Sequence, residues 1–193
     1  MEKTSKKNII TDSRSSVKIT TTALFAALCC IATMVIQIPT PTNGFINLGD
    51  CIVLISGYLL GPVYGALAAG IGSMLADILS GYAYYAPATF IIKAVMAVCA
   101  YYLYKALSDK HSKSGKTSVI SRIASVITAF VCEIIMIAGY FAFSAVILGA
   151  GLGAVDGIPG NIVQGTAAII ISTILHELIK LTIHGTATPH SHS

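Results

Sequence analysis

The chain is built from long apolar runs separated by short polar or glycine-rich breaks, with little of the alternation that marks strands. Residues 1–18 are polar and basic. The run Ile19–Ile38 that follows is long enough to cross a bilayer, which takes about 20 apolar residues. Its end, MVIQIPTPT, lacks a small-x-small cleavage pattern, so it reads as a retained first helix stopped by Pro39 and Pro41. A turn-forming loop, Pro39–Gly49, leads to Cys51–Leu60, a run short for a span. Even counted back to Leu48 it reaches only on the order of 20 Å, so it is expected to be a short or partly inserted helix. Gly61-Pro62 separates it from a third helix, Val63–Ser80, whose glycine, alanine and serine surface suits close helix packing in lipid. Pro87 is placed to open a fourth helix reaching about Leu107. The fifth, from about Val119 to Leu148, is longer than a bilayer needs and is predicted to tilt, break near Gly139 or project. A glycine-rich loop, Gly149–Gly160, precedes the sixth helix, Ile162–Ile183.

Composition agrees with this pattern. Of 193 residues, 55% are hydrophobic and only 10% charged, against roughly 25% charged in a soluble domain. The mean hydropathy is +0.80. Such a chain has too few charges for a water-facing surface, and its continuous runs do not suit the ~10-residue alternation of a β-barrel. The expected fold is an all-α integral membrane protein, a six-transmembrane-helix bundle over 19–184 with tails at 1–18 and 185–193. The five cysteines (Cys29, Cys30, Cys51, Cys99, Cys132) lie in or beside apolar runs without CxxC spacing and are read as packing residues, not as a metal site.

The cations orient the bundle. Of the twelve lysines and arginines, Lys3, Lys6, Lys7, Arg14 and Lys18 precede the first helix. Lys105, Lys110, Lys113, Lys116 and Arg122 lie in or beside the loop between helices four and five, and Lys180 lies near the end of helix six. The loops at 39–49, 81–86 and 149–160 carry none. The positive-inside rule therefore predicts cytoplasmic N and C termini and an outward face formed by those three loops. The 105–122 segment is then ordinary cytoplasmic charge, and no nucleic-acid partner is expected.

With so few polar residues, their positions carry information. Asn47, Asp50, Asp77 and Lys93 gather at one end of the stretch from Gly44 to Lys93, and Tyr82, Tyr84 and Tyr85 lie between them. Asp77, Lys93 and Glu133 are ionisable groups within spans, which are costly in hydrocarbon and are functional candidates by default. Lys93 lies roughly 9 Å below the start of its helix and Glu133 roughly 21 Å up from the inner side, so both fall in the outer half. They could form a structural Asp77–Lys93 or Glu133–Lys93 pair, or contact a ligand. Tyr140 shares a helix face with Glu133. Asn161 and Gln164, at i and i+3, could cap helix six, bond its neighbours, or recognise a heterocycle. Tyr82, Tyr84 and Tyr85 could equally be interfacial belt residues. An aromatic-lined cavity with a few convergent polar groups is the form a small-molecule site takes. Other signals fail. Ser114-Gly115-Lys116-Thr117 lacks the first glycine of a P-loop, and His176 with Glu177 has no HExxH partner. No nucleophile–base arrangement supports an enzyme.

The stretches INLGDCIVLISGYLLGPVYGALAAGIGSMLADILSGY, YAPATFIIK, EIIMIAGYF and GIPGNIVQG resemble, in order and spacing, the substrate-binding S components of energy-coupling factor (ECF) vitamin transporters, in the riboflavin-type branch. Ala23-Leu-Phe-Ala-Ala27 is similar to that family's AxxxA docking motif. The resemblance implies a multi-pass prokaryotic cell-membrane protein that captures a vitamin or precursor from outside with high affinity, the loop after helix one acting as a lid. A shared transmembrane scaffold subunit, met by Ala23 and Ala27, and two ATPase subunits would be its partners. ATP would be used by those partners and no cofactor by this chain, which would topple in the membrane to release substrate inside. Depth and polarity nominate Asn47, Asp50, Asp77, Tyr84, Tyr85, Lys93, Glu133, Tyr140, Asn161 and Gln164 as the substrate-binding set. Its tyrosines suit a small aromatic heterocycle such as a B6 vitamer or a pyrimidine or flavin precursor. The alternative from another class is a stand-alone secondary transporter of a small metabolite, coupled to protons through Glu133 and Asp77.

Overall fold

A computed structural model describes residues 2–39, 45–109 and 117–185, with side chains over 15–38, 45–109 and 119–182. Lys110, Lys113, Lys116, the tail 186–193, and 40–44 in the expected lid lie outside the described residues. Helix α1 (Glu2–Val35) begins earlier than expected and continues through the polar segment, where no proline or glycine interrupts it. Its apolar part, Ser15–Val35, is long enough to span a membrane. The following loop is not purely turns. Strand β1 (Ile38–Pro39) pairs antiparallel with β2 (Phe45–Ile46) and closes the loop at its base. Pro39 sits at an edge, where its missing N–H removes no ladder bond.

Helix α2 (Gly49–Leu79) joins the expected second and third helices into one element broken at Gly61. Gly61 has φ 81° and ψ −177°, a conformation essentially confined to glycine. Pro62 follows and cannot donate to the preceding turn. The chain folds back there. Ser56 and Gly65 are nine residues apart, yet the Ser56 hydroxyl donates to the Gly65 carbonyl at 3.2 Å. In a straight helix they would be about 13.5 Å apart. The thiol of Cys29 in α1 lies 3.9 Å from both the Gly49 and Ala69 carbonyl oxygens, so the halves 49–60 and 62–79 run side by side against α1. Gly72 lets α1 approach: a Cβ there would sit 2.4 Å from the Ala26 carbonyl oxygen. Small residues thus fasten α1 to the hairpin, as lipid-embedded packing requires.

Helix α3 (Ala86–Asp109) carries Pro87 in its first turn, as expected. It packs between the hairpin and α4 (Thr117–Ala142), burying Val53, Leu54, Met96, Ala97, Cys132 and Met136. The long fifth run does not break at Gly139. It changes to a π-helical turn at Phe143–Ile147, followed by a 3₁₀ turn at Gly151–Gly157 and then α5 (Ile158–Gly185). Among the described residues there are five helices long and apolar enough to cross a membrane, where the sequence predicts six; the difference is the hairpin at Gly61.

Candidate functional site: a tyrosine-lined cavity

The β1–β2 ladder, the turn between α2 and α3, and the π/3₁₀ connection meet at one end of the bundle and enclose a cavity of about 610 Å³, its open mouth included. Its walls are largely aromatic. Phe45 packs at a tilt against Tyr82 with ring centroids 4.9 Å apart, and Tyr85 lies 5.4 Å from Phe143 and edge-on to Tyr140 at 6.2 Å. Tight backbone turning sets these rings: the Tyr82 amide bonds the Asp77 carbonyl at 2.8 Å, and the Tyr85 amide bonds the Tyr82 carbonyl at 2.8 Å. Hydroxyls fix their tips. Tyr85 pairs with Ser144 at 3.2 Å, and Tyr140 with Thr89 at 3.1 Å.

Beneath the cavity lies a polar network. The Lys93 ammonium donates to Asp50 Oδ1, in an ion pair that is almost wholly buried. Gln164 Nε2 donates to Asp50 Oδ2 at 2.6 Å, and Gln164 Oε1 accepts from the Asn47 amide at 2.9 Å. Asn47 Oδ1 in turn accepts from the Gly49 amide at 2.8 Å, at the start of α2. One amide side chain thus ties α5 to the loop before α2 and, through Asp50, to α3. The Asp77–Lys93 and Glu133–Lys93 pairs weighed from sequence are replaced by Asp50–Lys93, because the fold-back of α2 brings position 50 beside α3.

The nominated residues separate into two layers and a rim. Asn47, Asp77, Tyr85, Tyr140, Asn161 and Gln164 line the cavity. Asp50, Lys93 and Glu133 are not on its wall. The Lys93 ammonium lies under the Tyr140 ring, 5.3 Å from its centroid, and Glu133 packs against α5 at Gly165. Tyr84 is 47% exposed and rests on Tyr85 with centroids 4.9 Å apart, at the rim. The carboxylate oxygens Asp77 Oδ2 and Glu133 Oε1 and Oε2 are buried and accept no hydrogen bond from the described residues. Phe45, Thr89, Phe141 and Ser144 also face the cavity and were not nominated. Two of them were findable: Thr89 is one turn before Lys93, and Ser144 one turn after Tyr140. Phe45 was not, because it reaches the cavity only through the β ladder.

Two other places were flagged by the sequence. Ala23 and Ala27 are exposed and line an apolar groove between α1 and the second half of α2, with Thr22, Ile31, Leu67 and Ile71. At the end of the bundle opposite the cavity, His176 is buried; its Nδ1 and the Ser125 hydroxyl lie 2.7 Å apart, and its ring packs against Tyr58 and Tyr104 at 4.9 and 4.8 Å. It is a satisfied core histidine. Among the described residues no three His, Cys, Asp or Glu side chains are grouped to hold a metal.

Residues 13–181 match the family model described as ECF-type riboflavin transporter, S component. A Pyrococcus woesei protein, named only as an uncharacterized protein in gap 3'region, is 32% identical over 154 residues, covering 79% of this chain and 95% of that protein. Among solved structures, that of the S component of a bacterial ECF transporter superposes with a TM-score of 0.63 at 19% identity, covering 88% of this chain and 98% of that one. The shared fold and the nearly full-length family match agree, and neither relates the chain to an enzyme: it belongs to the ECF-type riboflavin transporter S-component family of membrane transport proteins.

Proposed function

We propose that this chain captures a small planar heterocycle of the B-vitamin class, such as a flavin or flavin precursor, a B6 vitamer or a pyrimidine, from outside a prokaryotic cell. The observation carrying this reading is the tyrosine-lined cavity at the end of the bundle away from Lys105, Arg122 and Lys180. By the positive-inside rule that end faces outward. Counting the two halves of α2 separately would make six crossing segments, with both termini in the cytosol. Planar rings would lie among Tyr82, Tyr85 and Tyr140, and Asn161 and Gln164 would supply directional hydrogen bonds. Asp50, Lys93 and Glu133 would support that wall from behind, with Tyr84 at the mouth. The family implies a transmembrane scaffold and two ATPases as partners. ATP hydrolysis by those subunits would topple this chain and open the cavity to the cytosol. The groove carrying Ala23 and Ala27 is the proposed scaffold contact.

Native mass spectrometry of the purified protein is the direct test. The expected result is one small molecule retained per chain and displaced by an added vitamin of the same class; a protein that retains and binds none overturns capture. A second reading, proton-coupled transport by this chain alone, is favoured by the buried oxygens Asp77 Oδ2 and Glu133 Oε1 and Oε2, which have no hydrogen-bond partner among the described residues. Uptake into vesicles containing only this chain, driven by a pH gradient without ATP, would support it over the first.

A further inference from the structure

We infer that the cavity selects a ligand presenting a hydrogen-bond donor or positive charge to Asp77, and rejects anionic forms of the same ring. The inference rests on the capture reading above and adds the chemical class of the captured molecule. Asp77 is 6% exposed, lines the cavity, and leaves its buried Oδ2 without a hydrogen-bond partner among the described residues. A buried acceptor in that state is costly to leave unpaired, so a donor brought by a ligand gains an interaction that bulk water cannot match there.

The buried cation at this end of the bundle is already engaged. Lys93 is bonded to Asp50 and screened from the cavity by the Tyr140 ring. Among the described residues no lysine, arginine or histidine lines the cavity. The 149–160 segment contains no cation and contributes only another acid, Asp156. Three carboxyl groups, Asp50, Asp77 and Glu133, share this end of the bundle with a single ammonium. A phosphate or carboxylate entering the cavity would face Asp77 with no cation on the described cavity wall to receive it. Like-charge rejection of this kind supplies specificity by exclusion.

The test uses matched pairs on the full-length protein in detergent, measured by isothermal titration calorimetry: riboflavin with riboflavin 5′-phosphate, and pyridoxamine with 4-pyridoxic acid. At least one donor-bearing member, riboflavin or pyridoxamine, is expected to bind, and its anionic counterpart to bind at least thirtyfold more weakly. Asp77→Asn, checked for an unchanged unfolding temperature, should weaken the favoured member at least tenfold and narrow the gap within the pair. If the anionic member binds as tightly as its counterpart in the wild-type protein, the Asp77 assignment is overturned while capture stands. If Asp77→Asn binds the favoured member unchanged, the assignment falls in the same way. If no member of either pair binds and native mass spectrometry also finds no retained molecule, capture itself fails and takes this inference with it.

Discussion

At the scale of single residues, the decisive contact is Lys93 with Asp50. Neither group is tolerable alone in a membrane interior, and Gln164 satisfies the second Asp50 oxygen. Removing one partner of a buried pair typically costs about 3–5 kcal/mol, mostly because the other charge is left uncompensated. Lys93→Met should therefore lower the unfolding temperature sharply, and Asp50→Asn in the same chain should restore much of the loss. A double-mutant cycle by thermal unfolding checks this; additive losses would mean that the two groups do not act as a pair. The distinction matters for reading any binding defect of Lys93→Ala, which a merely destabilised wall would also produce. Sequence pointed to Asp50 and Lys93 separately but did not join them. They are 43 positions apart, and only the fold-back of α2 makes them neighbours.

At the scale of elements, the hairpin in α2 organises the cavity end of the bundle. Its turn depends on Gly61, whose backbone conformation costs any other residue of order 1–3 kcal/mol. Gly61→Val should destabilise by about that amount, read as reduced thermal stability. By contrast, Gly72→Leu should loosen α1 from the hairpin, since even a Cβ meets backbone there. The expected readout is faster proteolysis or labelling of Cys29, buried in the wild type against Ser73. The Gly61-Pro62 punctuation was visible in the sequence and marks the turn correctly. The π-helical end of α4 was not, because the surplus length of the run showed that something must give without showing where. Ser144 shows how that end reaches the site: its hydroxyl meets Tyr85 across the cavity from the π turn.

At the scale of the whole molecule, orientation and partnership decide what the cavity can do. If the basic end is cytosolic, Tyr84→Cys should react with a membrane-impermeant thiol reagent in intact cells, whereas the wild-type protein should not. Reaction only after permeabilisation would invert the bundle and with it the direction of capture. Ala23→Trp or Ala27→Trp should fill the apolar groove on α1 and abolish co-purification with the scaffold and ATPase subunits while leaving ligand affinity within about twofold, because the groove and the cavity do not share residues. Assembly that survives both substitutions would exclude the groove as the docking face. Sequence alone determined that this chain lives in a bilayer, that its helices begin and end near Pro39, Gly61-Pro62 and Pro87, and that polar side chains collect away from the cations. Those are local properties, set by run length, backbone chemistry and charge placement. Only the tertiary structure decided which of those side chains face the cavity and which stand behind it, since that depends on how α2 doubles back and how α5 closes over Asp50. Hydrophobic patterning places a residue along a helix, but the rotation of each helix against its neighbours chooses its partner.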